Sequence, residues 1–135
     1  MNAPSVILAL VEADVVLWVE GGRLRFRAPE GALTAELRSQ AAACRSALVA
    51  LVDAGAVLPA DHGAWSAELR ELWEERSAVM EFDGGLVREL AEREAERRVR
   101  NEHARAFVAR HALVVDPSGG AVASSPARGR PRTGR

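Results

Sequence analysis

The chain has no lysine: all eighteen cationic side chains among its 135 residues are arginine. With the high alanine content, this is the composition expected of a GC-rich bacterial genome, and it lowers the weight of any single arginine. Nineteen acidic residues leave a formal net charge of −1, so the whole chain has no electrostatic pull toward nucleic acid or membrane. The single cysteine, Cys44, excludes an internal disulfide. No apolar run approaches the ~18 residues of a membrane span, and the N-terminus lacks a basic segment followed by a long apolar one. A soluble, cytoplasmic protein with no membrane partner is expected. Catalytic patterns are missing too. There is no glycine-rich phosphate loop followed by lysine and no Ser/His/Asp nucleophile context. His62, His103, His111 and Cys44 lack the spacing of a metal site. Neither an enzyme, a metal nor a cofactor is expected. The 48% hydrophobic content suffices for one small core, or for two very small ones in series.

What is present is a hairpin with two chemically different faces. Gly21-Gly22 supplies the positive φ angles of a two-residue turn. That turn fixes the register: Glu20 opposite Arg23, Val19 opposite Leu24, Trp18 opposite Arg25, Leu17 opposite Phe26, and Val16 opposite Arg27. Directly opposed residues share a face. Val15, Leu17, Val19, Leu24, Phe26 and Ala28 therefore form an apolar face, and Leu17, Leu24, Phe26 and Leu37 are expected in the core. The other face carries Val16, Trp18 and Glu20 beside Arg23, Arg25 and Arg27. A two-stranded sheet also has free edges, which template binding by strand addition. The arginines and Trp18 thus read as a grip for an acidic peptide. They also read as a solvated face, with Arg23, Arg25 and Arg27 paired to Glu20 and Trp18 stacked under Arg25.

Around the hairpin, Ser5 is expected to cap a short helix burying Val6, Ile7, Leu10 and Val11 and ending near Ala13-Asp14. Pro29-Glu30-Gly31 marks a turn. Thr34 caps a further helix, or two short ones in line, with a stripe of Leu37, Ala41, Cys44, Leu48 and Leu51 reaching Asp53. Gly55 ends it. Cys44 on that stripe reads as core. A unit of this size is marginal alone, and self-association is the usual remedy.

The run from Val6-Ile7-Leu8-Ala9-Leu10 through Leu17-Trp18-Val19-Glu20-Gly21-Gly22-Arg23-Leu24-Arg25-Phe26-Arg27-Ala28-Pro29-Glu30-Gly31-Ala32-Leu33-Thr34-Ala35-Glu36-Leu37 resembles the TubC-type N-terminal docking domains of modular nonribosomal peptide synthetases. The resemblance covers about residues 4–54 and is dense over 17–37. It implies an αββαα fold, often dimeric, whose second strand receives a short acidic peptide from the C-terminus of an upstream synthetase subunit. Arg23, Arg25 and Arg27, with Trp18 beside them, would carry that role. The sequence departs from the pattern at Asp14, where the family usually has glycine, and after Leu37, where its helix is usually more basic. No condensation, adenylation or carrier domain follows within these residues.

The second half has a different character. Trp65, Leu69, Leu72, Trp73, Arg76 and Met80 recur at helical spacing, and Asp83-Gly84-Gly85 is a stop. A densely charged helix is expected from Leu86 to about His111, with i,i+4 pairs Glu89/Arg93, Glu94/Arg98 and Glu96/Arg100. Its apolar stripe is thin: Leu86, Leu90 and then Phe107. Together these elements predict an antiparallel helical hairpin. The stretch Trp73–Leu86 is also similar to a short segment of primase-like and other mobile-element proteins. From Asp116 onward Pro, Gly, Ser, Ala and Arg predominate, and such a tail cannot offset the entropy of ordering. Within it, Arg128-Gly129-Arg130-Pro131-Arg132 resembles the core of an AT-hook, a minor-groove DNA-binding motif. It also reads as a chance run in an arginine-biased protein.

The predicted fold is α+β: a TubC-like docking module at 4–54, a linker at 55–63, a helical hairpin at 64–113 and a disordered basic tail at 114–135. The expected function is non-enzymatic protein–protein interaction, with an acidic partner peptide held by Trp18, Arg23, Arg25 and Arg27 and homodimerisation through apolar helix faces. The other reading is a DNA-associated accessory protein of a mobile element, with Arg128, Arg130 and Arg132 making weak nucleic-acid contacts.

Overall fold

A computed structural model describes residues 2–114 of the chain, with side chains for 2–111. The AT-hook-like Arg128, Arg130 and Arg132 lie outside the described residues, as does the tail from residue 115. The architecture is α+β, in the order α1 (Ala3–Glu12), β1 (Val16–Glu20), β2 (Arg23–Arg27), α2 (Ala35–Ala43), α3 (Arg45–Asp53), α4 (Ala67–Phe82) and α5 (Arg88–Val114). Residues Met1–Ala104 form one compact unit, and a second begins at Arg105. In the described part of the second unit, Phe107 stacks on His111 with ring centroids 5.8 Å apart.

Helix α1 is capped by Asn2, whose side chain accepts from the Ser5 N–H at 2.9 Å. This corrects the expectation that Ser5 is the cap. Pro4 can sit in the first turn because its missing N–H would have no intrahelical partner there. Val6, Ile7, Leu10 and Val11 are buried as the spacing predicts. The helix closes in a Schellman arrangement, with Val15 N–H donating to the Leu10 carbonyl and Asp14 N–H to that of Val11. Asp14 occupies the left-handed position at φ 69°, the only non-glycine among the described residues to do so.

The hairpin register is the one that Gly21-Gly22 imposes, from Glu20↔Arg23 to Val16↔Arg27, with both glycines at positive φ (60° and 76°). Burial along it is uneven. Val15 and Leu17 are buried, Leu24 is half-buried, and Phe26 is 48% exposed. Phe26 is therefore not core, and Leu37 is only half-buried. Helix α3 packs against both strands, but the helices close over β1 and leave the inner face of β2 partly open.

Thr34 caps α2 by accepting from the Leu37 N–H at 3.1 Å. The helix breaks at Cys44 (φ −125°) and resumes as α3. Cys44 is half-buried rather than core, and its Sγ lies 3.2 Å from the Gln40 carbonyl oxygen. Leu48 and Leu51 are buried. Gly55, at φ 97°, repeats the closing arrangement of α1: Ala56 N–H reaches the Leu51 carbonyl.

Residues 55–65 are held closely against α5. Leu58, Trp65 and Val99 form a buried cluster, with Leu69, Leu72 and Trp73 packed on it. Trp65 precedes the Ser66 cap of α4, so it is not part of the helical stripe to which its spacing assigned it. Its indole N–H donates to the Pro59 carbonyl at 2.8 Å. Arg100 is only 8% exposed. It donates to the carbonyls of Leu58 and Pro59, both at 3.0 Å, and to Glu96 at 2.8 Å. Its guanidinium also lies over the Trp65 ring, 5.2 Å from the centroid. His62 stacks on Trp73. Its Nε2 sits 2.9 Å from Oε1 of Glu96 without the alignment of a hydrogen bond.

Helices α4 and α5 are joined by Trp73 N–H to the Glu92 carbonyl at 2.9 Å and by the Arg76–Glu102 ion pair at 2.7 Å. The buried face of α5 is Ala91, Ala95, Val99 and Ala104, while Leu86 and Leu90 are exposed. Of these, Leu90 lies on α5 and Leu86 in the turn before it, so the helix buries small residues while a leucine stays out. The expected Glu94–Arg98 and Glu96–Arg100 pairs form, at 3.1 Å and 2.8 Å. Hydrogen bonds from Arg97 and Arg98 hold the Glu94 carboxyl below its ordinary range.

Candidate functional site: an arginine-rimmed groove beside the second strand

The candidate site follows from the way β2 is left uncovered. In a two-residue hairpin the residues flanking the turn, Glu20 and Arg23, form a hydrogen-bonded pair, and bonded and non-bonded pairs then alternate. Trp18/Arg25 and Val16/Arg27 are bonded pairs in this register. Leu24 and Phe26 fall in the non-bonded pairs, so their backbone N–H and C=O groups point outward along the free edge of β2. The sheet has only β1 and β2, and this edge carries no further strand among the described residues.

A groove of about 830 Å3 lies along that edge, between β2 and helices α2 and α3. Its apolar lining comes from Leu24 and Phe26 on the strand, Leu33 before α2, and Ala41 and Val49 on the helices. Its charged lining is wholly basic: Arg23 and Arg25 from β2, Arg38 from α2 and Arg45 from α3. All four arginines are exposed. An extended chain placed here would meet backbone hydrogen-bonding groups on one side, apolar floor beneath it and positive charge on both walls.

The structure brings together only part of the sequence-predicted set. Arg23 and Arg25 line the groove. Arg27 is exposed on the outer face of the hairpin and is not part of the lining. Trp18 is half-buried on that outer face. Its indole N–H makes a long 3.5 Å contact with Glu20 Oε1, and the same oxygen lies 3.9 Å from Arg25 Nε. Trp18 and Arg25 therefore meet through the Glu20 carboxylate rather than by the stacking expected from their cross-strand position. This exposed cluster contributes little to stability, and it leaves the guanidinium of Arg25, 52% exposed, open to a competing carboxylate.

Arg38 and Arg45 were missed by sequence reasoning, and so was the role of Phe26 as groove wall. A signal for the two arginines exists. They are seven positions apart, two helical turns, beside the stripe of Leu37, Ala41 and Leu48. No group of three or more potential metal ligands occurs among the described residues. None of the helices among the described residues is long and apolar enough to cross a membrane.

No curated protein and no solved structure matches the chain. Residues 5–52, which span α1 to α3 and every residue lining the groove, match the family model of the TubC N-terminal docking domain, a non-catalytic interaction module, and this match supports a docking role in protein–protein interaction for that part of the chain.

Proposed function

We propose that residues 4–54 are a docking module that receives a partner peptide as an added strand on β2. The free edge at Leu24 and Phe26, opening onto an apolar groove with arginine on both walls, carries this reading. An added strand alternates its side chains between the two sheet faces. On the inner face they would meet Phe26, Leu33 and Val49, which favours apolar residues. On the outer face they would meet Arg23, Arg25 and Arg27, with Trp18 nearby, which favours carboxylates. Arg38 and Arg45 extend the positive field over the strand from the helix side. The partner is thus a short extended segment with alternating apolar and acidic residues, of the kind an acidic protein C-terminus supplies. Among the described residues, none from 55 onward lines the groove.

The test is a titration of the full chain with a synthetic peptide of alternating Leu and Glu, followed by fluorescence anisotropy at low and moderate salt. Wild type binds, and the affinity falls as salt rises because part of the attraction is between exposed charges. The Arg23→Ala/Arg25→Ala/Arg27→Ala variant binds at least tenfold more weakly. Equal binding by the two proteins at low salt would refute the assignment.

A further inference from the structure

Among the described residues, the large apolar side chains left exposed are Phe26 and five more at one place: Val79, Phe82, Leu86, Val87 and Leu90, all around the turn between α4 and α5. Phe82 is 78% exposed and Val87 59%. The turn that presents them is firmly built. Asp83 and Gly84 N–H groups donate to the Val79 carbonyl, Leu86 N–H donates to that of Met80, and Gly85 takes a positive φ of 73°. Together the five side chains leave on the order of 400 Å2 of apolar surface open, as much as a monomer ordinarily shows in its largest, often functional, patch. Phe82 stands at the edge of a hollow of about 300 Å3 between α4 and α5, whose lining it shares with Trp73, Ser77 and Ala78 and with charged side chains of both signs, Glu74, Glu81, Glu92 and Arg88. The hollow is large enough to take an aromatic ring.

We propose that the hairpin tip is a self-association surface, on which a second copy of this chain packs across a two-fold axis with Phe82 of each copy seated in the hollow of the other. Two observations select a second copy as the occupant. First, a protruding ring and a hollow adjoin on one surface, and an isologous contact fills both hollows at once. Second, the charges around the tip are of both signs. Glu81, Asp83 and Glu89 stand beside Arg88 and Arg93, and Arg88 reaches Glu81 across the turn at 3.6 Å while remaining 70% exposed. A rim of mixed sign complements itself on rotation, whereas it offers no uniform field to a polyanion or a basic partner. Val6, Ile7, Leu10 and Val11 of α1 are not available for this purpose, since they are buried within the chain. Two such tips bury roughly 800 Å2 of apolar surface, and the rims bring the contact to the lower end of specific interfaces, so the dimer is weak and concentration-dependent.

Sedimentation velocity of the full chain over a wide concentration range tests the proposal. Wild type passes from monomer to dimer as concentration rises. Phe82→Asp and Val87→Asp each raise the dimer dissociation constant by about 30-fold or more, the effect of losing a central anchor. Both side chains are exposed, so the variants keep the wild-type circular dichroism spectrum and melting temperature. The Arg23→Ala/Arg25→Ala/Arg27→Ala variant dimerises as wild type does, which separates this surface from the peptide groove. A wild-type chain that stays monomeric at the highest concentration, or a dimer unaffected by both tip variants, overturns it.

Discussion

Arg100 is the residue whose removal should be most costly. Its side chain is 9% exposed and makes three short hydrogen bonds, two to the Leu58 and Pro59 carbonyls and one to Glu96. Hydrogen bonds involving a charged group contribute about 1.5–3 kcal/mol each. Their sum overstates the loss, because Pro59 is exposed and Glu96 retains 26% exposure, so water can recover part of what is broken. The Leu58 carbonyl is the exception, since that bond is fully buried. Removing one partner of a buried, charge-bearing network costs about 3–5 kcal/mol. Arg100→Ala should lose about that much, from a total that is about 5–15 kcal/mol for a domain. At roughly 4–8 °C per kcal/mol for a unit of this size, the melting temperature falls by at least 12 °C or so. Arg100→Lys should fall in between, because a single ammonium cannot reproduce a planar fork that serves Glu96 on one edge and two carbonyls on the other. Urea and thermal denaturation followed by circular dichroism give both numbers. If Arg100→Ala remains within about 1 kcal/mol of wild type, well below the loss expected for a buried network, then the guanidinium does not hold residues 58–60 to α5 as argued.

Two further substitutions test how the first module is built. Phe26→Ala should cost about 1–1.5 kcal/mol, not the ~3–5 expected of a fully buried phenylalanine, while weakening binding of the alternating Leu/Glu peptide. A loss above ~3 kcal/mol in thermal denaturation would return Phe26 to the core. Asp14→Gly should stabilise the chain by about 0.5–1 kcal/mol, because a left-handed backbone costs an L-residue about that much more than glycine. A melting temperature at or below that of wild type would show that the charge of Asp14, which after Glu94 adds a smaller attraction to the Arg97 guanidinium, outweighs the backbone term.

What the sequence made legible is what is determined locally. Gly21-Gly22 fixes five cross-strand pairs through turn geometry alone, and all five occur. Thr34 caps α2 because a hydroxyl there reaches the N–H three residues on. The left-handed turn at Asp14 closes α1 next to its expected end. Errors arose where one segment's fate depended on another's reach. Alternation correctly put Phe26 on the inner face of the hairpin, but no pattern within β2 states how far α2 and α3 extend over it. The same uncovered strand that moves Phe26 out of the core also creates the groove, so the misjudged core residue and the unforeseen apolar groove have one cause.

Helix α5 shows a second kind of limit. Hydropathy ranks Leu86 and Leu90 above Ala91 and Ala95, yet the alanines are buried and the leucines exposed. Which face turns inward is set by where Leu58, Trp65 and the side chains of α4 pack on the helix, which no pattern within α5 states. The Glu96–Arg100 pair illustrates the same point in polar terms. Spacing identified it as an i,i+4 pair, and the pair forms. Spacing could not show that the far edge of the same guanidinium reaches back 42 positions to Leu58. A hint was nonetheless present. Leu58-Pro59-Ala60 cannot continue a helix through a proline, so its carbonyls lack intrahelical partners. Carbonyls in a segment that also buries Leu58 need donors from elsewhere. In a chain without lysine, an arginine on an adjacent helix can supply several from one side chain. The arginine bias that lowered the weight of each cation in the sequence thus carries two separate tasks. Under the proposed docking role, exposed arginines beside β2 stay open for a carboxylate partner, while a buried one at Arg100 ties the segment after the module to α5.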